Sequence, residues 1–422
     1  MENNLLENLN PELKKTLKII GKKADASKIR AFVVGGFVRD ILLKKDNLDL
    51  DIVVEASAIN FARHLLKLIL GKLTIHNKFN TATLVSQKFR IDFTTARRET
   101  YAHPSALPDI YPGTIRDDLF RRDFTINAMA ISLNQSSFGK LMDFFGGQKD
   151  LSQKKIRILH ELSFADDPTR ILRAIRFKER FNFVIEKRTA YLMKQALKSK
   201  ALLLVKPPRI FDELIHILKE EKPAKYILSI KRICGFEFID PRIKLDSFII
   251  KLLKEAERQI SWFQVDFAKK RKLDSWLIYF MILLNKVNIK TVYKIIHRFN
   301  LKRGDTKRII SCKNITNTER ILNKKILKLS EIFKVLEPLS YEVILLIKIK
   351  SNSPLVRKRI ITFFKILNGL KLATNGEDLK RLGLKQGKSL GLLLERLLHK
   401  KIDGLLKTKQ AELSLIKQLI AK

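Results

Sequence analysis

Residues 31–54 of the 422-residue chain read AFVVGGFVRDILLKKDNLDLDIVV. The run Ala31–Val34 is typical of a buried β-strand, and Gly35-Gly36 ends it. Residues 37–43 then read as the start of a helix, and residues 49–54 predict a second strand. Paired glycines let a backbone approach a ligand without interference from Cβ, and a helix start directs N–H groups toward it. The segment therefore predicts an α/β or α+β head with a place for a phosphate.

Charged side chains surround this predicted phosphate site. Arg39, one turn into the helix, can add a bidentate charge-assisted contact. Asp49 and Asp51 are two residues apart on a strand, so both side chains leave the same face. Two neighbouring carboxylates repel each other unless a cation neutralises them, and Mg²⁺ is a hard ion that takes carboxylate and phosphate oxygens. Asp92, on a further predicted strand, is a third carboxylate that could join the pair.

The rest of the chain predicts a change from mixed structure to helices. Residues 81–85 and 89–94 are further strand candidates, whereas from about residue 156 apolar side chains recur at helical spacing with no strand cluster. Residues 97–116 predict a long polar loop. The predicted fold is α+β, with a mixed-sheet head followed by an all-α neck, body and tail. The predicted boundaries are 1–150 for the head, 151–220 for the neck, 221–350 for the body and 351–422 for the tail.

Composition and charge exclude several classes of protein. An apolar content of 45% excludes disorder as the main state, and the apolar run at residues 276–284 is about half of what a bilayer requires. The N-terminus shows no export signal and there are two cysteines, so we expect a cytoplasmic protein without membrane insertion. The net charge is +41, of which residues 1–150 carry +6 and residues 151–422 carry +35. An excess of positive charge caused by compositional drift would be spread more evenly along the chain. Residues 151–422 are therefore expected to hold a polyanion such as nucleic acid.

Four segments together resemble a known family. Residues 34–51 look like the first motif of the polymerase-β-type nucleotidyltransferases, in particular class II tRNA nucleotidyltransferases (CCA-adding enzymes) and the related bacterial poly(A) polymerases. Residues 121–128 (RRDFTINA), 143–147 (DFFGG) and 166–170 (DDPTR) resemble the second, third and fourth motifs. The motifs stand in the family's order and cover roughly residues 30–215. The resemblance implies the family's nucleotidyltransferase head.

The resemblance assigns roles to individual residues. Two Mg²⁺ ions held by Asp49 and Asp51 would clamp a triphosphate and lower the pKa of an attacking RNA 3′-hydroxyl. Asp92 is left open as a third ligand, a proton acceptor or a structural residue. Gly35, Gly36 and Arg39 would receive the phosphates, and the resemblance implies that Arg122 and Asp123 contact the nucleotide.

The fourth motif carries the implied choice of base. Asp167, Arg170, Arg173 and Arg176 recur every third residue and form one ridge of a helix. The resemblance implies that Asp167 and Arg170 read the incoming base. Cytosine and adenine each present an amino donor beside a ring-nitrogen acceptor, which a carboxylate and a guanidinium match, whereas uracil and guanine present the reverse order. Arg173 and Arg176 would support the base readers or the phosphates.

Three departures or weaker matches accompany the resemblance. The family's fourth motif usually begins with Glu, where this chain has Asp166, so any role of that residue is doubtful. In place of the fifth motif the chain has KPPR at 206–209, of which Arg209 is the matching position. Residues 375–391 resemble the tail of bacterial members, where Lys385 and Lys388 are candidates for RNA contact and helix caps are the alternative.

The expected function is template-independent addition of all or part of the 3′-terminal CCA of tRNA. The substrates would be CTP and/or ATP with Mg²⁺, and the helical part would hold the acceptor and T arms of the tRNA by shape and phosphate contacts. Residues 106–108 and 162–164 resemble branches that add CC alone or the final A alone, so all three specificities stay open. A bacterial poly(A) polymerase and a catalytically silent RNA-binding protein are the alternatives, and no obligate protein partner is expected.

Overall fold

The computed structural model describes residues 4–45, 49–77, 80–100, 108–267, 272–382 and 387–420. The chain divides into two compact units, Met1–Leu214 and Ile215–Lys422. The division falls within one helix, Pro207–Leu218.

The first unit is built on a seven-stranded mixed sheet with the order β3-β4-β5-β2-β1-β8-β9. Strands β2 and β5 are parallel, and the other neighbouring pairs of this sheet are antiparallel. Two further pairs, β6 with β7 and β10 with β11, lie outside it. The strands are β1 Ala31–Val34, β2 Asp49–Val54, β3 Lys72–His76, β4 Thr81–Val85, β5 Arg90–Thr95, β6 Arg97–Thr100, β7 Asp109–Pro112, β8 Ala130–Ser132, β9 Leu141–Met142, β10 Lys155–Ile156 and β11 Val184–Ile185.

Helices flank this sheet and continue beyond it. Their bounds are α1 Pro11–Ala26, α2 Gly36–Leu42, α3 Ala58–Leu65, α4 Ile115–Phe120, α5 Gly147–Ser152, α6 Ser163–Asp166, α7 Thr169–Phe181, α8 Lys187–Lys198, α9 Ala201–Leu204 and α10 Pro207–Leu218.

The two faces of the sheet have different neighbours. Alternate residues of β2, among them Leu50 and Ile52, join a large core with helices α1 and α3. Val53 points to the opposite face, where a smaller core includes Leu119 of α4. Because side chains alternate along a strand, Asp49 and Asp51 leave the sheet on the same face as Val53. The sheet thus places its carboxylates opposite the large core.

The structure confirms the mixed-sheet head and corrects three details. Strands β1, β2 and β4 have the predicted bounds, and β5 is shifted by one residue from the prediction. The prediction of a loop over residues 97–116 is wrong for its described part, because β6 pairs antiparallel with β7 and α4 begins at Ile115. Residues 101–107 of that segment lie outside the described residues. The expected absence of strands after residue 156 is wrong at β11, which forms a short parallel ladder with β10.

In the described part of the second unit, the regular secondary structure is helical. Its helices are α11 Pro223–Ile233, α12 Ser247–Phe267, α13 Ser275–Leu283, α14 Ile289–Arg298, α15 Arg303–Ser311, α16 Ile315–Leu322, α17 Leu329–Leu336, α18 Tyr341–Lys350, α19 Pro354–Thr362, α20 Gly376–Arg381, α21 Lys388–Ile402 and α22 Lys409–Ile420. A π-helical turn, Phe363–Leu367, follows α19.

The core of the second unit explains its apolar helices. Every residue from Trp276 to Leu283 in α13 is buried, as is typical of a helix surrounded by protein. Aromatic rings of Phe263, Tyr341 and Phe364 pack edge to face nearby, with ring centroids 5.1 to 5.7 Å apart. Within the described part of the chain, no helix has the length and apolar character needed to cross a membrane. The finer division into neck, body and tail stays a prediction.

Candidate active site

A cavity of about 640 Å³ in the first unit gathers most of the predicted site residues. Polar and charged groups dominate its wall, as expected for a site that binds a phosphorylated ligand. The predicted residues that line it are Gly35, Gly36, Arg39, Asp51, Arg122, Asp123, Asp167, Arg170, Arg173, Arg176 and Arg209. Asp49 and Asp92 are outside this lining and stand beside Asp51 on the sheet.

The carboxylates follow from the register of three strands. Asp51 on β2 lies directly opposite Asp92 on β5, and Asp92 lies opposite Thr83 on β4. Oδ1 of Asp92 accepts a hydrogen bond of 2.5 Å from Thr83 Oγ1, and Oδ2 lies 3.2 Å from Arg90 Nε. Two neighbours therefore engage the Asp92 carboxylate, an arrangement that suits a structural or supporting role.

The pair Asp49 and Asp51 suits a divalent cation. Burial raises the pKa of the Asp51 carboxyl, Arg122 opposes this shift, and the charges of Asp92 and Asp49 add to it. Among the described residues, no three or more His, Cys, Asp or Glu side chains are grouped closely enough to form a metal site by themselves. Mg²⁺ is commonly held by one or two carboxylates together with substrate phosphates and water, so this donor set fits an ion that arrives with a nucleotide.

Gly35 lies against an arginine of the second motif. Its φ is +71°, in the left-handed region that favours glycine, and a Cβ at this position would lie 2.7 Å from Nη1 of Arg122. Arg122 Nη2 donates to Asp118 Oδ2 over 3.0 Å. Asp118 is fully buried, and although burial alone raises its pKa, Arg122 and Arg121 hold that pKa below the usual value. The close approach of Gly35 thus leaves room for a guanidinium that faces the cavity.

Arg39 is fixed on several sides. Its Nη1 donates to Asn127 Oδ1 over 2.7 Å and its Nε donates to Asp40 Oδ1 over 2.9 Å. The guanidinium carbon also lies 5.5 Å and 4.6 Å from the ring centroids of Phe177 and Phe181. Burial lowers the pKa of Arg39, with Asp40 opposing, but an arginine stays charged at neutral pH.

A buried network connects Asp123 with helix α7. Asp123 Oδ2 accepts bonds of 2.9 and 2.6 Å from Nε and Nη2 of Arg173, and Oδ1 accepts one of 3.0 Å from Asn127 Nδ2. Arg173 Nη1 donates to Glu213 Oε1 over 3.1 Å, and Arg176 lies 3.7 Å from Glu213 Oε2. This network orients two arginines of the ridge.

The two predicted base readers are held by different partners. Oδ1 of Asp167 accepts bonds from the backbone N–H and the hydroxyl of Thr169, at 3.1 and 2.6 Å, and lies 3.0 Å from Arg209 Nη2. Arg170 donates to Ser163 Oγ and, over 2.7 Å, to the carbonyl oxygen of Arg121. A guanidinium has five N–H donors, so these contacts leave Arg170 able to meet a further acceptor.

Asp166, the departure from the family's Glu, lies near a histidine. Its Oδ2 is 3.9 Å from His160 Nδ1. Burial, with help from Arg170, lowers the pKa of His160 to about 4, so the imidazole is neutral at physiological pH. The Asp166 contact is therefore not an ion pair at neutral pH.

Several residues of the cavity wall were not predicted from the sequence. Asp143 of the third motif is not among the wall residues; its carboxylate accepts from the N–H groups of Gly147 and Gln148 and thereby holds the start of α5. A residue of this kind is recognisable as an N-terminal helix cap. The wall residues that sequence reasoning missed are Glu99, Pro108, Arg121, Asn127, Thr169, Phe177, Arg180, Asp212 and Glu213.

The remaining predicted RNA contacts lie elsewhere in the chain. Lys385 lies outside the described residues. Lys388 begins helix α21. The assignment of both lysines to RNA binding stays a prediction.

Comparison with known proteins connects the chain to one family. Residues 31–157 match the family model described as Poly A polymerase head domain. The A-adding tRNA nucleotidyltransferase of Geobacter sulfurreducens is 34% identical over 96% of this chain and 46% of its own length. The chain thus spans about half the length of this curated relative.

Two solved structures match over nearly the whole chain. The structure of CCA-adding enzyme apo form II is 35% identical, with a TM-score of 0.78 over 98% of this chain and 97% of that one. The Thermotoga maritima CCA-adding enzyme complexed with tRNA_CCA is also 35% identical, with a TM-score of 0.72 over 99% of this chain and 97% of that one.

Proposed function

The chain belongs to the family of CCA-adding tRNA nucleotidyltransferases, and we propose from this membership that it adds all or part of the 3′-terminal CCA to tRNA. CTP and/or ATP would supply the nucleotide, and pyrophosphate would leave. The cavity that joins Asp51, Asp123, Asp167 and the arginines of α7 carries this proposal. Its wall offers separate groups for the phosphates, the ribose and the base of one nucleotide.

The head supplies the groups for the triphosphate. Gly35 and Gly36 leave the backbone accessible at the start of α2, and Arg39 and Arg122 place guanidinium groups beside it. Asn127 and the two phenylalanine rings keep Arg39 oriented, so little conformational freedom is lost when a phosphate binds. Asp123 would accept a hydrogen bond from a ribose hydroxyl.

Asp49 and Asp51 would hold the divalent cation on which the family generally depends, and we propose two Mg²⁺ ions. When bound there, the cation supplies charge neutralisation of the phosphates and a lowered pKa for the RNA 3′-hydroxyl. The two carboxylates, both on the central strand β2, would fix where the hydroxyl and the triphosphate meet. Asp92, engaged by Thr83 and Arg90, would support Asp51 from the neighbouring strand.

The choice of base rests on Asp167 and Arg170. The carboxylate would accept from the amino group of cytosine or adenine, and the guanidinium would donate to the adjacent ring nitrogen. Thr169 and Arg209 hold Asp167, and Ser163 with the carbonyl of Arg121 holds Arg170. Fixed partners of this kind keep the two readers in place before the nucleotide arrives.

The helical remainder would hold the tRNA. Residues 151–422 carry a net charge of +35, which favours contact with the phosphates of the acceptor and T arms. We retain the division into neck, body and tail for this role, with Arg209, Lys385 and Lys388 as candidate RNA contacts. The similarity to an A-adding relative supports the assignment of this chain as an enzyme that adds only the final A. Addition of the full CCA or of CC alone are the alternatives.

Nucleotide incorporation into defined RNAs tests the proposal. The purified protein is incubated with Mg²⁺ and with tRNAs that lack CCA, end in C, end in CC or are complete, and CTP or ATP is supplied to each. Addition of A to the CC-ending tRNA without use of CTP would identify the A-only activity. Long poly(A) extension of an unrelated RNA would overturn the tRNA assignment in favour of a poly(A) polymerase. No incorporation into any RNA would favour the silent RNA-binding protein.

Removal of the two carboxylates tests the site itself. Asp49→Ala with Asp51→Ala should abolish incorporation and leave tRNA binding intact. Glu7→Ala with Glu12→Ala is the matched control, because it removes the same charge from exposed positions of the same unit. Full activity in the Asp49/Asp51 variant would overturn the assignment.

A further inference from the structure

A cluster of aromatic side chains lies on the first unit outside the lining of the nucleotide cavity. We call it the aromatic patch and define it as Arg116, Phe120, Phe144, Phe145 and His160. None of these five residues is among those that line the cavity described above. The patch combines exposed rings with one exposed guanidinium, a combination that the catalytic scheme above does not use.

The rings of the patch form a connected surface. Phe120 and Phe144 are 46% and 38% exposed, which is unusual for phenylalanine. Between them, the ring centroid of Phe145 lies 5.8 Å from that of Phe120 and 6.2 Å from that of Phe144. The ring of His160 lies 5.1 Å from that of Phe120 at an interplanar angle of 34°. The result is a set of adjoining flat faces of which two are open to solvent.

The guanidinium of Arg116, beside the exposed rings, favours a ligand that is both flat and anionic. Arg116 lies one turn before Phe120 on α4, and its guanidinium carbon is 5.6 Å from the Phe144 ring centroid. His160 is uncharged at neutral pH, with Asp166 3.9 Å from its Nδ1. A nucleotide offers an aromatic base for the rings and a phosphate for Arg116, and stacking on aromatic side chains accepts any of the bases.

The patch is connected to the site through the backbone. Phe120 directly precedes Arg121, which lines the cavity and whose carbonyl oxygen accepts the bond from Arg170. An RNA strand whose 3′ end lies at Asp51 could therefore pass over the patch with its preceding unpaired nucleotides.

We propose that the aromatic patch is a stacking site for an unpaired nucleotide of the RNA substrate, upstream of the reacting 3′ end. This inference rests on the proposed function for the identity of the RNA. A protein partner is disfavoured, because two partly exposed phenylalanine rings offer far less than the roughly 800 Å² per partner of a stable protein interface. Unpaired bases, by contrast, match the size of single rings.

Binding of two RNA hairpins tests the patch without catalysis. One fluorescein-labelled hairpin carries two unpaired nucleotides at its 3′ end and the other is blunt, and anisotropy is measured without nucleotide triphosphate. Phe120→Ala with Phe144→Ala should weaken binding of the overhang hairpin by about tenfold or more and change binding of the blunt hairpin by less than about twofold. Phe120→Leu with Phe144→Leu, which keeps apolar bulk but removes the rings, should show the same loss.

Leu70→Ala is the control for loss of exposed apolar surface, because Leu70 is 91% exposed in the same unit. An unchanged ratio of overhang to blunt affinity in both double variants would overturn the proposal. If the double variants differ from the wild type in self-association, as measured by sedimentation, while the ratio of overhang to blunt affinity is unchanged, the patch would be assigned to a protein contact instead. Failure of wild-type incorporation would refute the proposed function but leave this binding ratio readable, so the two failures are distinguishable.

Discussion

Nη2 of Arg173 lies 2.6 Å from Oδ2 of Asp123, and Nε of Arg173 lies 2.9 Å from the same oxygen. The two contacts join helix α7 to the second motif of the head. Asp123 is 7% exposed, and burial by itself would raise the pKa of its carboxyl. Arg173 and the bond from Asn127 outweigh this effect and hold the pKa below its usual value. The carboxylate is therefore charged in the folded protein at neutral pH, and its removal leaves a guanidinium without its main counter-ion.

Asp123→Asn should lower the free energy of unfolding by about 2–4 kcal/mol at pH 7, because breaking a buried ion pair is costly and Arg173 keeps only Glu213 as a carboxylate partner. The pKa of Asp123 is lower in the folded protein than the value of about 3.9 in the unfolded chain, so its ionisation stabilises the fold above about pH 3.9. This stabilisation is lost as the pH falls through the folded-state pKa. The difference in the free energy of unfolding between the wild type and Asp123→Asn should therefore shrink below about pH 4. Urea unfolding followed by circular dichroism at pH 7 and pH 3 measures it, with exposed Glu12→Gln as control. An equal difference at both pH values would contradict this account.

Gly35→Ala should impair both folding and nucleotide binding. The φ of +71° costs an alanine about 1–2 kcal/mol, and the added Cβ would lie 2.7 Å from Nη1 of Arg122. We expect loss of about 2 kcal/mol of stability and a rise of about tenfold or more in KM for the nucleotide, since the displaced guanidinium faces the cavity. Thermal unfolding and steady-state incorporation measure the two effects.

Gly36→Ala is the matched control for that variant. A Cβ at Gly36 would meet its nearest atom, Arg39 Nη2, at 3.5 Å, which is ordinary van der Waals contact. Its stability should equal or slightly exceed that of wild type, because alanine is the better helix former. A similar loss of stability in both variants would show that the contact with Arg122 is not the cause.

Asp167→Ala should reduce the preference for CTP or ATP over UTP and GTP. A hydrogen bond to a charged group contributes about 1.5–3 kcal/mol, so incorporation of the preferred nucleotide should fall by about 10- to 100-fold while the others change little. Arg209→Ala should have a smaller effect, because Thr169 still holds the Asp167 carboxylate. Single-turnover incorporation with each of the four triphosphates measures the ratio, and Arg209→Lys should restore part of it. An unchanged ratio in Asp167→Ala would remove this residue from base recognition.

The strands predicted with the observed bounds, β1, β2 and β4, all carry buried apolar residues. All four residues of β1 are buried, so Ala31–Val34 presents an unbroken apolar run before its glycines. Strand β3, in contrast, is the edge of the sheet and alternates exposed and partly exposed residues, so it resembles a polar connection. Strand β8 lies close behind the RRDFTINA motif and is three residues long, which is too short for a periodic signal.

The candidate site was predictable where a residue belongs to a motif and not where tertiary packing places it. Arg170 was predicted because it belongs to the segment that resembles the family's fourth motif, and Arg173 because it follows on the same ridge of the helix. Glu213 was missed because it lies outside the motifs and its contact with Arg173, 40 residues away in sequence, depends on how α10 packs. Asn127 lies inside the second motif and was still missed, because its hydrogen bond to Asp123 depends on the turn between them. No local pattern distinguishes such a carboxylate or amide from one that faces solvent.

Lys348 in the second unit should make stability depend on pH above neutrality. Its side chain is 4% exposed and Nζ lies 3.3 Å from the centroid of a Trp262 ring. Burial lowers the pKa of Lys348 to about 8. The charge of Arg357 adds to this shift and that of Glu255 opposes it. An unfolded lysine has a pKa of about 10.4, so between these values the unfolded chain binds more protons and the free energy of unfolding rises with pH. The rise should be at most about 3 kcal/mol, since one unit of pKa corresponds to about 1.4 kcal/mol.

Lys348→Met should abolish that rise and be no less stable than wild type at pH 7, because the ring of Trp262 offsets only part of the cost of the buried charge. Lys358→Met, at an exposed position of α19, is the control and should keep the wild-type slope. Urea unfolding at pH 7, 8, 9 and 10 gives the slope for each protein. A wild-type slope retained in Lys348→Met would assign the pH dependence to another group, and equal slopes near zero in all three would show that Lys348 titrates at its ordinary pKa.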